Sequence, residues 1–209
     1  MKITGVREFD DIVGEGSSTL FYGVAGVGKT TMLMTIAGNI CRKLYPCIYV
    51  STEDTLHYDR VARYPERYEN VFFTEIRDFD ELLKYVVEVL EFIPYRVLFV
   101  DSINALFRIV AYREDSIARY GLMLGLLWKK TWDSKGYFFA SAQVRAGFEE
   151  DEEEIVASGT NILEYWFDNV FYMGFEDNKR FIEVVKPVEM KGFRRYYLIG
   201  DTGIEWVVE

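Results

Sequence analysis

The sequence predicts an α/β fold, with a mainly parallel central sheet flanked by helices and antiparallel strands at its C-terminal edge. Short apolar segments alternate with helix-forming segments through most of the chain, which is typical of βαβ units. The last part contains closely spaced strand-like segments with turn sequences between them, which indicates antiparallel pairing. Hydrophobic residues make up 50% and charged residues 28% of the 209 residues. This composition is globular, and we expect one domain over residues 1–209.

The first strands and the first helix are predicted from apolar runs and from the glycine-rich turn that follows the first run. Residues 18–22 (STLFY) are typical of a short buried strand, and a helix is expected over residues 29–43. Residues 47–51 (CIYVS) form the second expected strand and residues 71–74 the third. The order of strand, helix and strand indicates a parallel βαβ unit.

End signals place the next helix and the strand that follows it. Asp78 has the residue type and position of an N-cap, and Glu81 stands three residues later as in a capping box. Apolar residues follow at helical spacing until Pro94 ends the helix. Residues 97–100 (VLFV) are all apolar and predict a buried strand, so Asp101 lies at the carboxyl end of that strand.

A long helix and a change of pattern complete the chain. The helix is expected over residues 115–134 because Gly136 stops it, and residues 137–142 form the next strand. Turn sequences EDNK and DTG then separate segments that have the alternation of antiparallel strands. These last strands are expected at residues 169–175, 180–186, 195–199 and 204–208.

The overall charge and the absence of targeting signals narrow the classes of function. The formal net charge is −10, which argues against a general nucleic-acid coat because such binding depends on Lys and Arg releasing phosphate counterions. No apolar stretch approaches the roughly 20 residues of a membrane span, and no signal peptide is present, so we expect no membrane association. The chain contains one glutamine, Gln143. Such scarcity of thermolabile amide side chains is expected of a protein from a heat-adapted organism, and biased codon usage explains it equally well.

The two cysteines bear on the compartment. Cys41 and Cys47 are too few for a disulfide framework or a four-ligand zinc site. We therefore expect both to be small buried hydrophobic residues in a reducing cytoplasm.

The segment GVAGVGKT has the G-x-x-x-x-G-K-T spacing of a P-loop. Its glycines let the backbone curl so that successive N–H groups point at phosphate oxygens, and the helix that follows adds a partial positive charge. In this pattern Lys29 reaches the β- and γ-phosphates and the Thr30 hydroxyl binds Mg²⁺. The expected nucleotide-binding residues are Gly23, Val24, Ala25, Gly26, Val27, Gly28, Lys29, Thr30 and Thr31.

Further polar side chains stand where strands end, and ligands of open α/β sheets bind outside the carboxyl ends of the strands. Asp101 supplies the second metal-binding group that a P-loop needs. Glu53 follows the second strand, where a carboxylate orients the attacking water and accepts its proton, although Asp54 competes for this role. Gln143 ends the strand 137–142, where its amide would sense the γ-phosphate.

The order and spacing of these motifs resemble the ATPase core of the RecA/RadA recombinase family over nearly all of the chain. The resemblance implies a RecA-type P-loop fold, ATP and Mg²⁺ as ligands, Glu53 as the catalytic glutamate, and Gln143 as the link between the γ-phosphate and the second DNA-binding loop. The segments that carry it, besides the P-loop, are residues 4–16, 48–53, 98–107 (LFVDSINALF), 141–147 (SAQVRAG), 159–166 and 201–204.

Departures from the family pattern refine this expectation. The chain starts at the core and lacks an N-terminal DNA-binding domain and polymerisation segment, which points to an archaeal RadA paralogue, RadB-like or RadC-like. Six consecutive acids at residues 149–154 occupy the place where a recombinase binds single-stranded DNA. We therefore expect weak or indirect DNA binding, a monomer or small oligomer, a recombinase or other RadA-family subunit as partner, and an ATPase that is slow alone.

Two alternatives stay open, namely a KaiC-like regulatory ATPase outside DNA repair and a non-catalytic adaptor that binds ATP and modulates a recombinase. The C-terminal basic segment is similar to one in KaiC-like ATPases and favours the first. Two basic clusters are candidates for contacts to phosphates or to a neighbouring subunit. For each cluster the alternative is an ordinary charged surface that faces solvent. The first comprises Arg108, Arg113 and Arg119, and the second Lys186, Lys191, Arg194 and Arg195.

Overall fold

The computed structural model describes residues 1–53, 57–144 and 160–207. Within them one mixed sheet is flanked by helices on both faces. The strands are β1 (Ser18–Gly23), β2 (Cys47–Ser51), β3 (Val71–Glu75), β4 (Val97–Asp101), β5 (Tyr137–Gln143), β6 (Asn169–Glu176), β7 (Lys179–Lys186), β8 (Arg194–Gly200) and β9 (Gly203–Trp206). The helices are α1 (Arg7–Ile12), α2 (Lys29–Ile40), α3 (His57–Arg63), α4 (Phe79–Tyr85), α5 (Ala105–Val110), α6 (Ser116–Ser134) and α7 (Thr160–Trp166).

The strand order is β3-β2-β4-β5-β1-β6-β7-β8-β9. Strands β1 to β5 pair in parallel, and β6 adds to β1 in parallel as well. From β7 onwards each strand is antiparallel to the one before it. This arrangement confirms the predicted fold class, and it places β1, which leads into the P-loop, at the centre of the sheet.

Hydrophobic side chains cover both faces of the sheet, which explains why the parallel strands are continuous apolar runs rather than alternating ones. The cluster on one face packs around the P-loop helix α2 and includes Phe9, Phe21, Met32, Leu33, Tyr49 and Phe99. The cluster on the other face packs around α4, α5 and α6 and includes Ile48, Leu98, Phe107, Tyr120, Leu124 and Phe138.

The predicted boundaries differ from the observed ones mainly at helix ends. Helix α2 ends at Ile40 rather than near residue 43. The Asp78 side chain caps α4, as predicted, by accepting hydrogen bonds from the backbone N–H groups of Asp80 and Glu81 at 2.8 and 3.0 Å. After Tyr85 the helix continues as a π-helical turn over Val86–Leu90.

The prediction that both cysteines are free was wrong. Cys41 and Cys47 are fully buried, as expected, but they are joined in a disulfide with a Cα–Cα distance of 5.9 Å. The bond links the residue after α2 to the first residue of β2, because the short connection returns the chain to the end of the helix. The reducing compartment that we inferred from free thiols therefore stays a prediction.

Among the described residues, no helix has the length and apolar character that a bilayer crossing requires.

Candidate active site

A cleft of about 430 Å³ lies where β1, β2, β4 and β5 end. The cleft brings together Lys29, Thr30, Glu53, Asp101 and Gln143, which the sequence places far apart. Its full lining is Ala25, Gly26, Gly28, Lys29, Thr30, Thr31, Met34, Ser51, Glu53, Arg60, Asp101, Ser102, Ser141, Gln143 and Ile199.

The P-loop backbone requires glycine at several positions. Gly26 and Gly28 have φ angles of 81° and 105°, in the left-handed region that other residues rarely adopt. At Gly23 an added Cβ would lie 2.0 Å from the carbonyl oxygen of Met173 on β6, so no side chain fits there. Helix α2 starts directly after Gly28, so the unpaired N–H groups of its first turn face the cleft end of the loop.

Lys29 lies folded against the P-loop. Its ammonium group donates hydrogen bonds to the carbonyl oxygens of Gly23 and Val24, both at 2.9 Å. Burial lowers the pKa of Lys29, and the carboxylates of Glu53 and Asp101 partly oppose this shift. Because an ammonium carries three N–H groups, two bonds to the loop leave one for a ligand in the cleft.

Of the predicted nucleotide-binding residues, Gly23, Val24 and Val27 do not line the cleft. Gly23 and Val24 act through the carbonyl groups that hold Lys29. Val27 is fully buried, and its carbonyl oxygen accepts a hydrogen bond from the Tyr197 hydroxyl at 2.7 Å. Strand β8, which carries Tyr197, therefore holds the P-loop backbone in place through this hydrogen bond.

Asp101 is the carboxylate at the end of β4 and is only 6% exposed. Its Oδ2 accepts a hydrogen bond from the Tyr49 hydroxyl at 2.8 Å, and its Oδ1 accepts one from the Ser141 hydroxyl. Burial, and then the charge of Asp101, raise the pKa of Tyr49 well above its ordinary value, so Tyr49 remains a neutral donor.

Glu53 is exposed at the cleft, two residues after β2 ends. Its Oε1 accepts a hydrogen bond from the Ser102 hydroxyl at 3.0 Å. The backbone beneath it is fixed, because the Thr52 hydroxyl donates to the Ser102 carbonyl at 2.6 Å and accepts from the Ser102 N–H at 2.9 Å. Asp54, the competing candidate for the base, lies outside the described residues.

Gln143 is held through its backbone. The side-chain amide of Asn104 donates to the Gln143 carbonyl at 3.0 Å, and its Oδ1 accepts from the Gln143 N–H at 3.1 Å. Asn104 is fully buried, and its Oδ1 also lies 3.4 Å from the Ser102 hydroxyl. Ser102 and Asn104 thus link the ends of the strands that carry Glu53 and Gln143, leaving the Gln143 side chain to line the cleft.

Sequence reasoning missed several residues of the cleft wall, among them Arg60 and Ile199. Arg60 comes from α3, a short helix with no clear apolar period, and brings a cation to the cleft. Ile199 comes from β8, and its Cδ1 would lie 2.8 Å from a Cβ added at Gly28. Arg60 follows Glu53 by seven residues, a proximity that could have drawn attention to it. Ile199 gives no such signal, because only the sheet order brings it to the P-loop.

The C-terminal arginines of the candidate contact set make ion pairs within the chain. The Arg194 guanidinium donates to Glu183 at 2.6 and 2.9 Å and to Glu176 at 2.8 Å. Arg195 donates to Glu8 at 2.8 Å, which ties β8 to α1. These charges are thereby neutralised on the surface of the C-terminal strands.

The two lysines of that set differ from each other. The Lys186 ammonium donates to the carbonyl oxygen of Phe167 at 2.6 Å, at the end of α7. Lys191 is exposed and follows the 3₁₀ turn Val188–Met190. Of the four cations, Lys191 is therefore the one that the described residues leave open to a partner.

The first basic cluster is also partly used within the chain. Arg113 and Arg119 both pair with Asp80 on α4, and Arg119 lies over the ring of Phe79 with its guanidinium carbon 5.7 Å from the ring centre. Arg108 lies in the last turn of α5 and is half-buried. Arg113 and Arg119 thus attach the segment after Asp101 to α4.

The donor set of the cleft fits Mg²⁺ bound with a nucleotide. The Thr30 hydroxyl and the Asp101 carboxylate are hard oxygen ligands, and both line the cleft next to the P-loop. Across the described ranges, no group of three His, Cys, Asp or Glu side chains forms a metal site made of protein alone. Two protein oxygens are the usual complement where phosphates supply the other ligands.

Comparisons with known proteins agree with this geometry, although no protein-family model matches the chain. The chain is 24% identical over 187 residues to the DNA repair and recombination protein RadB of Methanosphaera stadtmanae, which covers 85% of this chain and 76% of that protein. It is likewise 24% identical over 185 residues to RadB of Methanobrevibacter smithii, covering 82% and 79%. It is 31% identical over 137 residues to the DNA repair protein Rad51 homolog of Drosophila melanogaster, covering 56% of this chain and 39% of that protein.

A solved structure shares the fold over its whole length. The crystal structure of the RadB recombinase superposes with a TM-score of 0.78 at 20% identity, covering 100% of both chains. The similarity to RadB in sequence and fold agrees with the motifs in the cleft. The chain is therefore similar in sequence to RadB proteins over most of its length, and it shares the fold of the RadB recombinase.

Proposed function

We propose that the protein binds and hydrolyses ATP with Mg²⁺ and acts as an accessory factor of a recombinase in homologous recombination and DNA repair. One observation carries the chemical part, namely that Lys29, Thr30, Glu53 and Asp101 converge on one cleft beside a P-loop. The names of the relatives, RadB and Rad51 homolog, support the role in recombination and repair.

ATP binding rests on the P-loop backbone and on Lys29. In the proposed complex the N–H groups of the loop and of the first turn of α2 bind phosphate oxygens. Lys29 directs its third N–H group to the β- and γ-phosphates, and the two loop carbonyls keep the ammonium in place. Bound Mg²⁺ would neutralise charge on the phosphates, with Thr30 and Asp101 as its protein ligands.

Hydrolysis is assigned to Glu53. Its carboxylate orients a water molecule and accepts a proton from it, while the water oxygen bonds to the γ-phosphorus and the bond to the β–γ bridging oxygen breaks. The hydrogen bond from Ser102 fixes one carboxylate oxygen and leaves the other for the water. Arg60, at the same cleft, is a cation within this chain that can stabilise charge on the phosphates.

The partner is proposed to be a recombinase or another RadA-family subunit that docks over the nucleotide. Lys191 is our candidate for a contact to it, since the three other cations of the C-terminal cluster bind groups of their own chain. The same internal pairing weakens the KaiC-like alternative, which depends on a free basic segment. Weak DNA binding stays a prediction, since residues 149–154 lie outside the described residues.

The test is steady-state ATP turnover at fixed Mg²⁺, measured for the protein alone, with single-stranded DNA, with duplex DNA and with a recombinase. We expect slow turnover alone and a higher rate with the recombinase. Lys191→Glu should reduce only the stimulated rate, and Lys179→Glu, on the exposed β6–β7 turn, is the matched control. Absence of turnover under all four conditions, with ATP binding retained, would favour the non-catalytic adaptor instead.

A further inference from the structure

The carboxylate of Asp101 lies between two hydroxyl groups from neighbouring strands. Tyr49 on β2 donates to Oδ2 at 2.8 Å, and Ser141 on β5 donates to Oδ1. Tyr49 and Ser141 are fully buried, and Asp101 itself is 6% exposed. Both oxygens of this carboxylate therefore accept hydrogen bonds from buried hydroxyl groups of the protein.

Strand register and ring packing hold the Tyr49 hydroxyl in place. Ser51 pairs with Asp101 across β2 and β4, so Tyr49 pairs with Phe99 and shares a sheet face with Asp101. Its ring stacks on Phe99, with centroids 5.5 Å apart, and packs against Phe73 at 5.3 Å. A fully buried ring between two others cannot rotate away from the carboxylate without repacking the core.

Strand register also fixes Ser141. Val100 pairs with Ala140 across β4 and β5, which places Ser141 beside Asp101. The Ser141 carbonyl accepts a hydrogen bond from the Ile103 N–H at 2.8 Å, so its backbone is tied to the segment that follows Asp101. The two hydroxyl donors are thus set before any ligand enters the cleft.

This arrangement has a direct consequence for metal binding. A carboxylate oxygen accepts more than one hydrogen bond or metal contact, so one donor on each oxygen fixes the plane of the group and leaves further acceptor sites for the cleft. Loss of a donor would leave a nearly buried carboxylate less well satisfied and free to turn. In metal sites, removal of a partner that orients a ligand typically lowers metal affinity by about 10- to 100-fold.

We propose that Tyr49 and Ser141 are positioning residues for Asp101 and set the affinity of the cleft for the metal of a metal–nucleotide complex. The proposal rests on the proposed function, since Asp101 is the metal-binding carboxylate there. Neither hydroxyl touches the nucleotide in this role; each acts through Asp101.

The direct test measures Mn²⁺ binding by electron paramagnetic resonance in the presence of a saturating non-hydrolysable ATP analogue. Tyr49→Phe removes one oxygen atom and keeps the ring, and we expect about 10- to 100-fold weaker Mn²⁺ binding. Tyr68→Phe is the matched control, because Tyr68 is 3% exposed, packs against Phe73 and has a hydroxyl without a hydrogen-bond partner in the described part of the chain. It should bind Mn²⁺ within about twofold of the wild type, given the usual scatter of such effects.

A second pair of variants covers the case in which Tyr49→Phe fails to fold. Ser141→Ala should weaken Mn²⁺ binding, whereas Ser141→Thr keeps a hydroxyl and should restore most of it. In turnover assays the Mg²⁺ concentration for half-maximal rate should rise in Tyr49→Phe and Ser141→Ala, and saturating Mg²⁺ should recover most of the rate. Affinity for the nucleotide without divalent metal should not change.

The outcomes separate this proposal from the proposed function. Wild-type Mn²⁺ affinity in a folded Tyr49→Phe, or in Ser141→Ala when Tyr49→Phe does not fold, would overturn the positioning role. A wild-type protein that binds no Mn²⁺ with the analogue would overturn the metal site itself, and with it the proposed function.

Discussion

Lys29 illustrates how the chemistry of the cleft depends on single residues held by backbone groups. Its ammonium binds two P-loop carbonyls, and burial lowers its pKa while Glu53 and Asp101 oppose the shift. The same two carboxylates partly offset the cost of burying the charge of the lysine. We infer that bound phosphates take over this electrostatic role.

We predict that Lys29→Ala weakens ATP binding by about 10- to 100-fold, because it removes a charge-assisted hydrogen bond to phosphate. Turnover should fall below detection. Lys43→Ala, at an exposed position just after α2, is the matched control and should leave both unchanged. Binding can be followed by the fluorescence of a labelled ATP analogue. If Lys29→Ala bound the analogue as tightly as Lys43→Ala, Lys29 would not be part of the binding site.

At the scale of elements, the sequence pattern was sufficient for the strands and for the longer helices. Each buried strand is a run of apolar residues, α6 carries end signals that match its observed limits within a few residues, and Asp78 marks the observed start of α4. The short helices α1, α3 and α5 have six or seven residues, too few for a helical period to stand out.

The parts of the site that the sequence did not predict share one physical reason. Tyr49, Asn104 and Ile199 are ordinary strand or loop residues in sequence, and their roles arise from which elements the sheet places next to each other. The P-loop, Glu53, Asp101 and Gln143 could be predicted because they follow strands directly and the carboxyl ends of parallel strands share an edge. The Cys41–Cys47 disulfide was missed because it depends on where the connection after α2 returns.

The disulfide gives a prediction at this scale, since it links the end of α2 to the start of β2. The two cysteines lie 6 residues apart in sequence. In the chain-entropy model, closing a loop of this length restricts the unfolded chain and raises the free energy of unfolding by about 2 kcal/mol. We therefore expect reductant to lower the thermal midpoint by several degrees, and slowly, because both sulfurs are buried.

The matched control for this prediction is the double variant Cys41→Ala, Cys47→Ala, which should show a lower midpoint that reductant does not change. Thermal unfolding with and without reductant gives the comparison. A count of two free thiols in the denatured, unreduced protein would contradict the disulfide.

At the scale of the whole molecule, the strongly negative net charge is the property that bears most directly on DNA binding. The formal net charge is −10, and residues 149–154 are six consecutive acids. In the described part of the chain, Arg113, Arg119, Arg194 and Arg195 are committed to internal ion pairs. These four arginines are therefore less available to a phosphate backbone than unpaired cations would be.

We predict weak binding of single-stranded DNA that falls steeply with salt, and no strand exchange by the protein alone. Replacing Glu149, Glu150 and Asp151 with amides should tighten binding if these acids lie along the DNA path. The matched control changes three exposed acids on and after α4, Glu81, Glu88 and Glu91, and should have a smaller effect. The measurement is fluorescence anisotropy of labelled single-stranded DNA at several salt concentrations. An equal effect of both triple variants would mean that residues 149–154 act only through the net charge of the protein.

The most direct test of the account is a comparison of ATP binding and turnover in Glu53→Gln. The substitution keeps the size of the side chain and its hydrogen bond from Ser102, but it removes the group that accepts a proton from water. We predict ATP affinity close to that of the wild type and turnover reduced by about 10²- to 10⁴-fold, measured with the stimulating partner present. Turnover that stays at the wild-type rate in Glu53→Gln, with Asp54→Asn inactive, would contradict the assignment and move the catalytic base to Asp54.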